Sequence, residues 1–105
     1  MTSAARLTQM LKVLSVGTRV RMIQLLKRGP LCVGALAARL EVTQGAVSQH
    51  LRVLREAGIV VAHRRGLFVH YGLNERVIGN WRAAIDRLLG PGSPRQTCAC
   101  RRRGT

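Results

Sequence analysis

Two helix-periodic runs separated by only two residues constrain this chain more than any other feature. Val33-Gly34-Ala35-Leu36-Ala37-Ala38-Arg39-Leu40 reads as a short helix. Val47, Leu51 and Leu54 then repeat at i, i+4 and i+7, the apolar stripe of a second one. Between them stand Glu41 and Val42, followed by Thr43, a residue suited to capping a helix that runs to Ala57-Gly58. So short a link makes a helix-turn-helix. Directly after it, the β-branched and aromatic runs Ile59-Val60-Val61-Ala62 and Phe68-Val69-His70-Tyr71 flank His63-Arg64-Arg65-Gly66-Leu67, which reads as a hairpin with a basic tip.

Upstream, Ala4, Leu7, Met10, Leu11 and Leu14 recur at three and four, giving an amphipathic first helix. Thr18 is expected to cap a second, carrying Val20, Ile23, Leu25 and Leu26 and stopped by Gly29-Pro30. Downstream, a last helix from about Glu75 to Leu89 shows Val77, Ile78, Trp81, Ala84, Ile85, Leu88 and Leu89 on one face. The predicted order is ααααββα: mainly α with a small β-hairpin (α+β), a winged helix-turn-helix. Gly90-Pro91-Gly92-Ser93-Pro94 ends the pattern. Residues 1–90 are therefore expected to form a single DNA-binding and dimerisation domain, with 91–105 a flexible, basic, Cys-containing tail.

Charge narrows the partner. Eighteen Lys+Arg oppose four Asp+Glu, a formal net charge of +14, and all the cations but Lys12 and Lys27 are Arg. Such a surface seeks a polyanion, nucleic acid ahead of an anionic membrane, and Arg suits bidentate contacts to phosphate and guanine. No run approaches the ~20 apolar residues that span a bilayer, and no targeting segment is apparent, so no membrane partner is expected. Three cysteines are too few, and odd in number, for a disulfide framework, which points to the cytoplasm and reduced thiols. The carboxylates are scattered, the three histidines isolated, and there is no Gly-rich phosphate loop, so the chain reads as a non-enzyme requiring no cofactor.

On the helix that Thr43 opens, Gln44, Ser48, Gln49, Arg52 and Arg55 fall opposite the apolar stripe. Gln bonds adenine bidentately and Ser bonds any base edge. Gln44, Ser48 and Gln49 are the expected base-reading residues, and Thr43 and Arg52 the expected phosphate contacts. His50 borders the stripe and reads equally as a packed, hydrogen-bonded residue or as a DNA contact. Arg64 and Arg65, on the turn of the wing, are expected to clamp phosphates in or beside the minor groove. The rival from another class is a sequence-nonspecific architectural DNA binder, which needs only charge. Against it stand Gln44, Ser48 and Gln49, where phosphate binding alone would favour Lys and Arg.

Leu31-Cys32-Val33-Gly34-Ala35-Leu36, the run Thr43-Gln44-Gly45-Ala46-Val47-Ser48-Gln49-His50-Leu51-Arg52-Val53-Leu54-Arg55-Glu56-Ala57-Gly58-Ile59-Val60, and the hairpin from Arg64-Arg65-Gly66 through Val69-His70-Tyr71-Gly72-Leu73 together resemble the ArsR/SmtB family of metal- and ligand-responsive repressors. Thr18 to Leu26 is similar to that family's second helix. The resemblance implies a dimeric repressor whose first and last helices pack across a two-fold axis. Leu7, Met10, Leu11, Leu14, Trp81, Ile85 and Leu88 are the interface candidates; the competing reading is that they complete the monomer core. Such a homodimer would present two recognition helices about 34 Å apart to an inverted-repeat double-stranded operator.

For an effector, the resemblance offers site types to be matched residue by residue. A zinc site on the last helix needs paired acid and histidine ligands, and that helix offers Asp86 but no histidine. A Cys-x-Cys site at the start of the third helix is half present, with Cys32 followed by Gly34 where a second thiol would stand. Cys98-Ala99-Cys100 in the tail supplies two more sulfurs. With Cys32 they would make a three-thiolate site suited to As(III), Sb(III) or another thiophilic ion, and Arg101, Arg102 and Arg103 favour the ligating thiolate. Release from the operator by such an ion is the expected regulation. Incidental cysteines, a redox switch among them, or an organic ligand remain open alternatives.

Overall fold

In the computed structural model, which describes residues 3–92 and 97–99, three helices begin at side-chain caps. The Ser3 hydroxyl accepts from the Arg6 N–H before α1 (Ala4–Leu14). Thr43 Oγ1 accepts from the Ala46 N–H at 3.1 Å before α4 (Gln44–Glu56), as expected of Thr43. Asn74 Oδ1 accepts from the Val77 N–H before α5 (Glu75–Leu89). Each such cap satisfies an N–H that the helix itself cannot, a contribution of about 1 kcal/mol.

The second helix departs from expectation. α2 (Gly17–Leu26) takes Val16 as its N-cap with no side-chain bond, so Thr18 lies inside the first turn. Ser15 closes α1 through its N–H to the Lys12 carbonyl and leaves only Val16, extended at φ −112°, between the two helices. With one linking residue there is no room for a cap at Thr18. α3 (Val33–Leu40) ends on Glu41 at φ 57°, the one non-glycine positive φ among the described residues. That left-handed residue costs about 1–2 kcal/mol. It reverses the chain tightly, and the Val42 N–H closes the turn on the Ala37 carbonyl at 3.2 Å.

β1 (Val60–Arg65) and β2 (Phe68–Leu73) form an antiparallel ribbon in register from Val60↔Leu73 to Arg65↔Phe68. Both strands run further than their apolar residues suggested. His63, Arg64 and Arg65 are strand residues paired with His70, Val69 and Phe68, so the connecting turn is Gly66-Leu67 alone. The outer half of β1 is solvated, and the alternation that reveals a half-buried strand is missing there. Leu31 exchanges both backbone bonds with Tyr71, at 3.1 and 2.8 Å, and so ties the hairpin to the start of α3.

Met22, Leu36, Val47 and Leu54 are fully buried, and Leu26, Leu40, Leu51, Ile59 and Val60 surround them. The core thus lies between α2, α3, α4 and the base of the hairpin, each fully buried side chain of this kind contributing about 1.5–3 kcal/mol. The terminal helices give less to it. α1 contributes Val13; α5 lays Val77, Ile78 and Trp81 against its edge and fully buries only Ala84. Of the residues with two open readings, Met10 is buried, Leu7, Leu14, Trp81 and Ile85 are half-buried, and Leu11 and Leu88 remain 41% and 50% exposed. No helix among the described residues is long and apolar enough to cross a membrane.

Candidate nucleic-acid interface

α4 is split lengthwise. Val47, Leu51 and Leu54 are buried, and Thr43, Gln44, Ser48, Gln49, Arg52 and Arg55 are exposed. Gln49 and Arg52 look away from the buried stripe, whereas Gln44, two turns before Leu51, stands on the stripe's own side and is exposed because it belongs to the first turn of α4. The first turn of α4 carries no acidic residue, so nothing in it neutralises the positive end of the helix dipole beside Thr43 and Gln44. Gln44 rests over the start of α3: a side-chain carbon placed on Gly34 would meet its Nε2 at 3.8 Å.

His50 sits apart from the other expected contacts because it is half-buried. Its Nδ1 accepts a hydrogen bond from Arg19 Nε–H at 3.3 Å, while Arg19 Nη1 donates to the Val13 carbonyl at 3.2 Å. The relay connects the end of α1 to the middle of α4 through a residue of α2. Burial, and then the charge of Arg19, hold His50 below the usual histidine range. The neutral imidazole is the form that can accept this bond. Arg19 had no signal in the sequence, since its partner lies 31 positions away.

Arg52, Arg55 and Glu56 share a groove of about 580 Å³ with Val60, Val61 and Ala62 of β1, so the polar side of α4 continues onto the hairpin. The Arg55 guanidinium lies 5.9 Å from the Tyr71 ring centroid, within cation–π range. That contact braces α4 against β2 and gives Arg55 a positioning role that its place on the helix alone did not disclose.

The wing differs from the one expected. Arg64 and Arg65 are exposed but stand at the end of β1 rather than on the turn. Successive strand residues face opposite sides, so Arg64 shares one face with Val69 and Arg65 the other with Phe68. The two cations straddle the ribbon, and its apex is Leu67, 94% exposed, beside Phe68, 64% exposed.

Of the cysteines, Cys32 is a free, half-buried thiol at the N-cap of α3, where its side chain makes no capping bond. Cys98 is exposed and disulfide-bonded, which departs from the reduced thiols expected of so few cysteines, and Cys100 lies outside the described residues. Among the described residues no group of three His, Cys, Asp or Glu is placed to hold a metal ion.

Residues 17–61 match the bacterial regulatory protein arsR family. The transcriptional repressor SdpR of Bacillus subtilis is 34% identical over 73 residues, which cover 67% of this chain and 81% of the relative. The arsenic resistance transcriptional regulator ArsR1 of Pseudomonas putida is 45% identical over 79 residues, 74% of this chain but only 59% of that protein. Among solved structures, the homodimeric winged helix-turn-helix DNA-binding domain from Mycobacterium bovis superposes with a TM-score of 0.64 at 29% identity, covering 81% of this chain and 86% of that one. The matched segment runs from α2 through the turn at Glu41 and the whole of α4 into β1, which are the elements that build the exposed polar face. With that architecture and those relatives, the chain belongs to the arsR family of bacterial regulatory proteins, winged helix-turn-helix regulators of transcription.

Proposed function

We propose that this chain is a homodimeric transcriptional repressor that reads an inverted-repeat operator with α4 and leaves it when a thiophilic ion such as arsenite is bound. The observation that carries the reading is the exposure of three uncharged polar side chains on α4, Gln44 in its first turn and Ser48 and Gln49 along it, beside a buried stripe that fixes the helix on the core. Amide and hydroxyl side chains discriminate base edges, which a purely electrostatic binder does not require. Thr43, Arg52, Arg64 and Arg65 serve phosphates around them, and His50 positions α4 from its inner flank.

Residues 1–90 supply DNA binding and dimerisation in this reading. The exposed Leu11 and Leu88, next to half-buried Leu14, Trp81 and Ile85, offer an unspent apolar surface for a second copy, and the Mycobacterium bovis relative is a homodimer. The cytoplasm, where thiols stay reduced, is the proposed setting. Cys32 is a free thiol on a rigid helix start. With the Cys98 disulfide reduced, the tail of 91–105 offers the thiols of Cys98 and Cys100, and three soft donors suit As(III). The Pseudomonas putida relative is named for arsenic resistance. Cys32 opens the same helix start on which Gln44 rests, so its engagement is felt where bases are read. A tenfold loss of operator affinity requires only about 1.4 kcal/mol of coupling.

Fluorescence anisotropy on a duplex selected by the protein from a random pool tests both halves. Gln44→Ala or Gln49→Ala should lose about 1–3 kcal/mol on that duplex and little on random DNA; equal losses on both would overturn base reading. Arsenite should release the wild-type protein, while Cys32→Ser, Cys98→Ser and Cys100→Ser each bind DNA and ignore arsenite. A full response in Cys32→Ser would overturn the three-thiolate site.

A further inference from the structure

The apex of the hairpin departs from the chemistry its own geometry favours. Arg65 pairs with Phe68, so two residues, Gly66 and Leu67, make the turn. Gly66 has φ 61° and Leu67 is not a positive-φ residue, the pattern of a type II′ turn. The residue after the glycine in such a hairpin is ordinarily small and polar, Asn, Asp or Ser. Here it is Leu67, 94% exposed, with Phe68 beside it at 64%. An apolar side chain contributes to folding in proportion to the area it removes from water, and Leu67 removes almost none. Departures from local sequence rules without a folding gain concentrate at functional sites.

The surroundings identify the occupant. Arg64 and Arg65 flank the apex on opposite faces of the ribbon, and the groove shared by Arg52, Arg55 and β1 joins the ribbon to the polar face of α4. An apolar point inside a cationic collar fits a polyanion with an apolar interior. Duplex DNA, with stacked bases between two phosphate rows, has that construction. A phosphate clamp alone would have no use for leucine, and an apolar protein partner no use for two arginines.

We propose that Leu67, backed by Phe68, is a wedge that enters the minor groove and partly unstacks one base step, kinking the duplex, while Arg64 and Arg65 hold the phosphates on either side. Apolar side chains at such positions act this way in architectural proteins. Pyrimidine–purine steps unstack most readily. The wing therefore adds a sequence preference through deformability, with no hydrogen bond to a base. The inference rests on the reading of α4 as a DNA-recognition helix.

The test uses the full-length chain on the duplex it selects from a random pool. Affinity is measured together with thymine reactivity to permanganate and the electrophoretic bend. Leu67→Asn keeps a residue the turn accepts, and Phe68→Thr keeps a strand former. The wild-type complex should show a hyperreactive thymine beneath each wing and a bend. Leu67→Asn should lose both and bind about tenfold more weakly, with an unchanged slope of affinity against salt, since no phosphate contact is removed. Phe68→Thr should show a smaller change in the same direction. Arg64→Ala/Arg65→Ala should flatten the salt slope yet keep the hyperreactive thymine at saturating protein. A selected duplex bound without distortion, or distortion retained in Leu67→Asn, would overturn the wedge and leave α4 recognition standing. Loss of binding to phosphatidylserine vesicles in Leu67→Asn, with unaltered DNA complexes, would assign the apex to a membrane instead. Failure of the wild-type chain to select any duplex would remove both readings.

Discussion

α4 and α5 carry comparable apolar stripes in the sequence, yet the fold uses them differently. In α4, Val47, Leu51 and Leu54 are all buried, whereas α5 fully buries only Ala84 and leaves Leu88 and Leu89 50% and 77% exposed. α1 behaves like α5, burying Met10 and Val13 while Leu11 stays exposed. Amphipathicity therefore announces that a face will be covered, but not by what. The central helices cover one another within the chain; the terminal helices keep apolar area available for another surface.

The sharpest way to break this contrast is to remove a side chain from each class. Leu54→Ala should destabilise the fold by about 2–5 kcal/mol, the cost of a core cavity. Its melting temperature should fall at every protein concentration. A loss no larger than that of a surface substitution would mean that α4 is not the centre of the core.

Leu11→Arg/Leu88→Arg addresses the other class and should leave the monomer fold nearly unchanged, within about 0.5 kcal/mol, as surface substitutions do. What should change is assembly: sedimentation should give half the wild-type mass, and the dependence of melting temperature on protein concentration should vanish. A wild-type chain that sediments as a monomer at micromolar concentration would end the distinction, because the exposed leucines would then have no partner copy.

A smaller effect is expected at the relay joining the two regions. Arg19 donates to His50 of α4 and to the end of α1. Because burial and Arg19 lower the His50 pKa, the folded state binds fewer protons than the unfolded one. The associated stability is therefore present above the usual histidine range and is lost as pH falls through and below it. Melting temperature should decline between about pH 7 and about pH 5 less steeply in His50→Gln than in the wild type. Identical slopes would show that the relay does not discriminate between protonation states.

Much of the candidate interface was legible in the residues. Thr43 as a cap, the two-residue link at Glu41-Val42, and the division of Val47, Leu51 and Leu54 from Gln44, Ser48 and Gln49 are matters of spacing within a few positions, and all three stand in the structure. The wing was legible as a hairpin but not as to its length. His63, Arg64 and Arg65 pair as strand residues although they have no apolar face, because cross-strand backbone bonds hold a solvated ribbon together. Moving the cations off the turn left Leu67 at the apex, a placement that composition disguised as a basic tip.

By itself, then, the sequence determined where helices form and which sides of them are apolar, because helix periodicity, capping and the Gly and Pro stops act over a single turn of chain. Only the tertiary structure decided the rest. It set which apolar faces the chain spends on its own core, that Arg19 reaches His50 and Arg55 stacks on Tyr71, that Leu31 completes the base of the hairpin, and that Leu67 ends up in water. These outcomes depend on residues distant in sequence meeting in space, and the burial that drives them depends on area and shape, with no fixed spacing along the chain to record it.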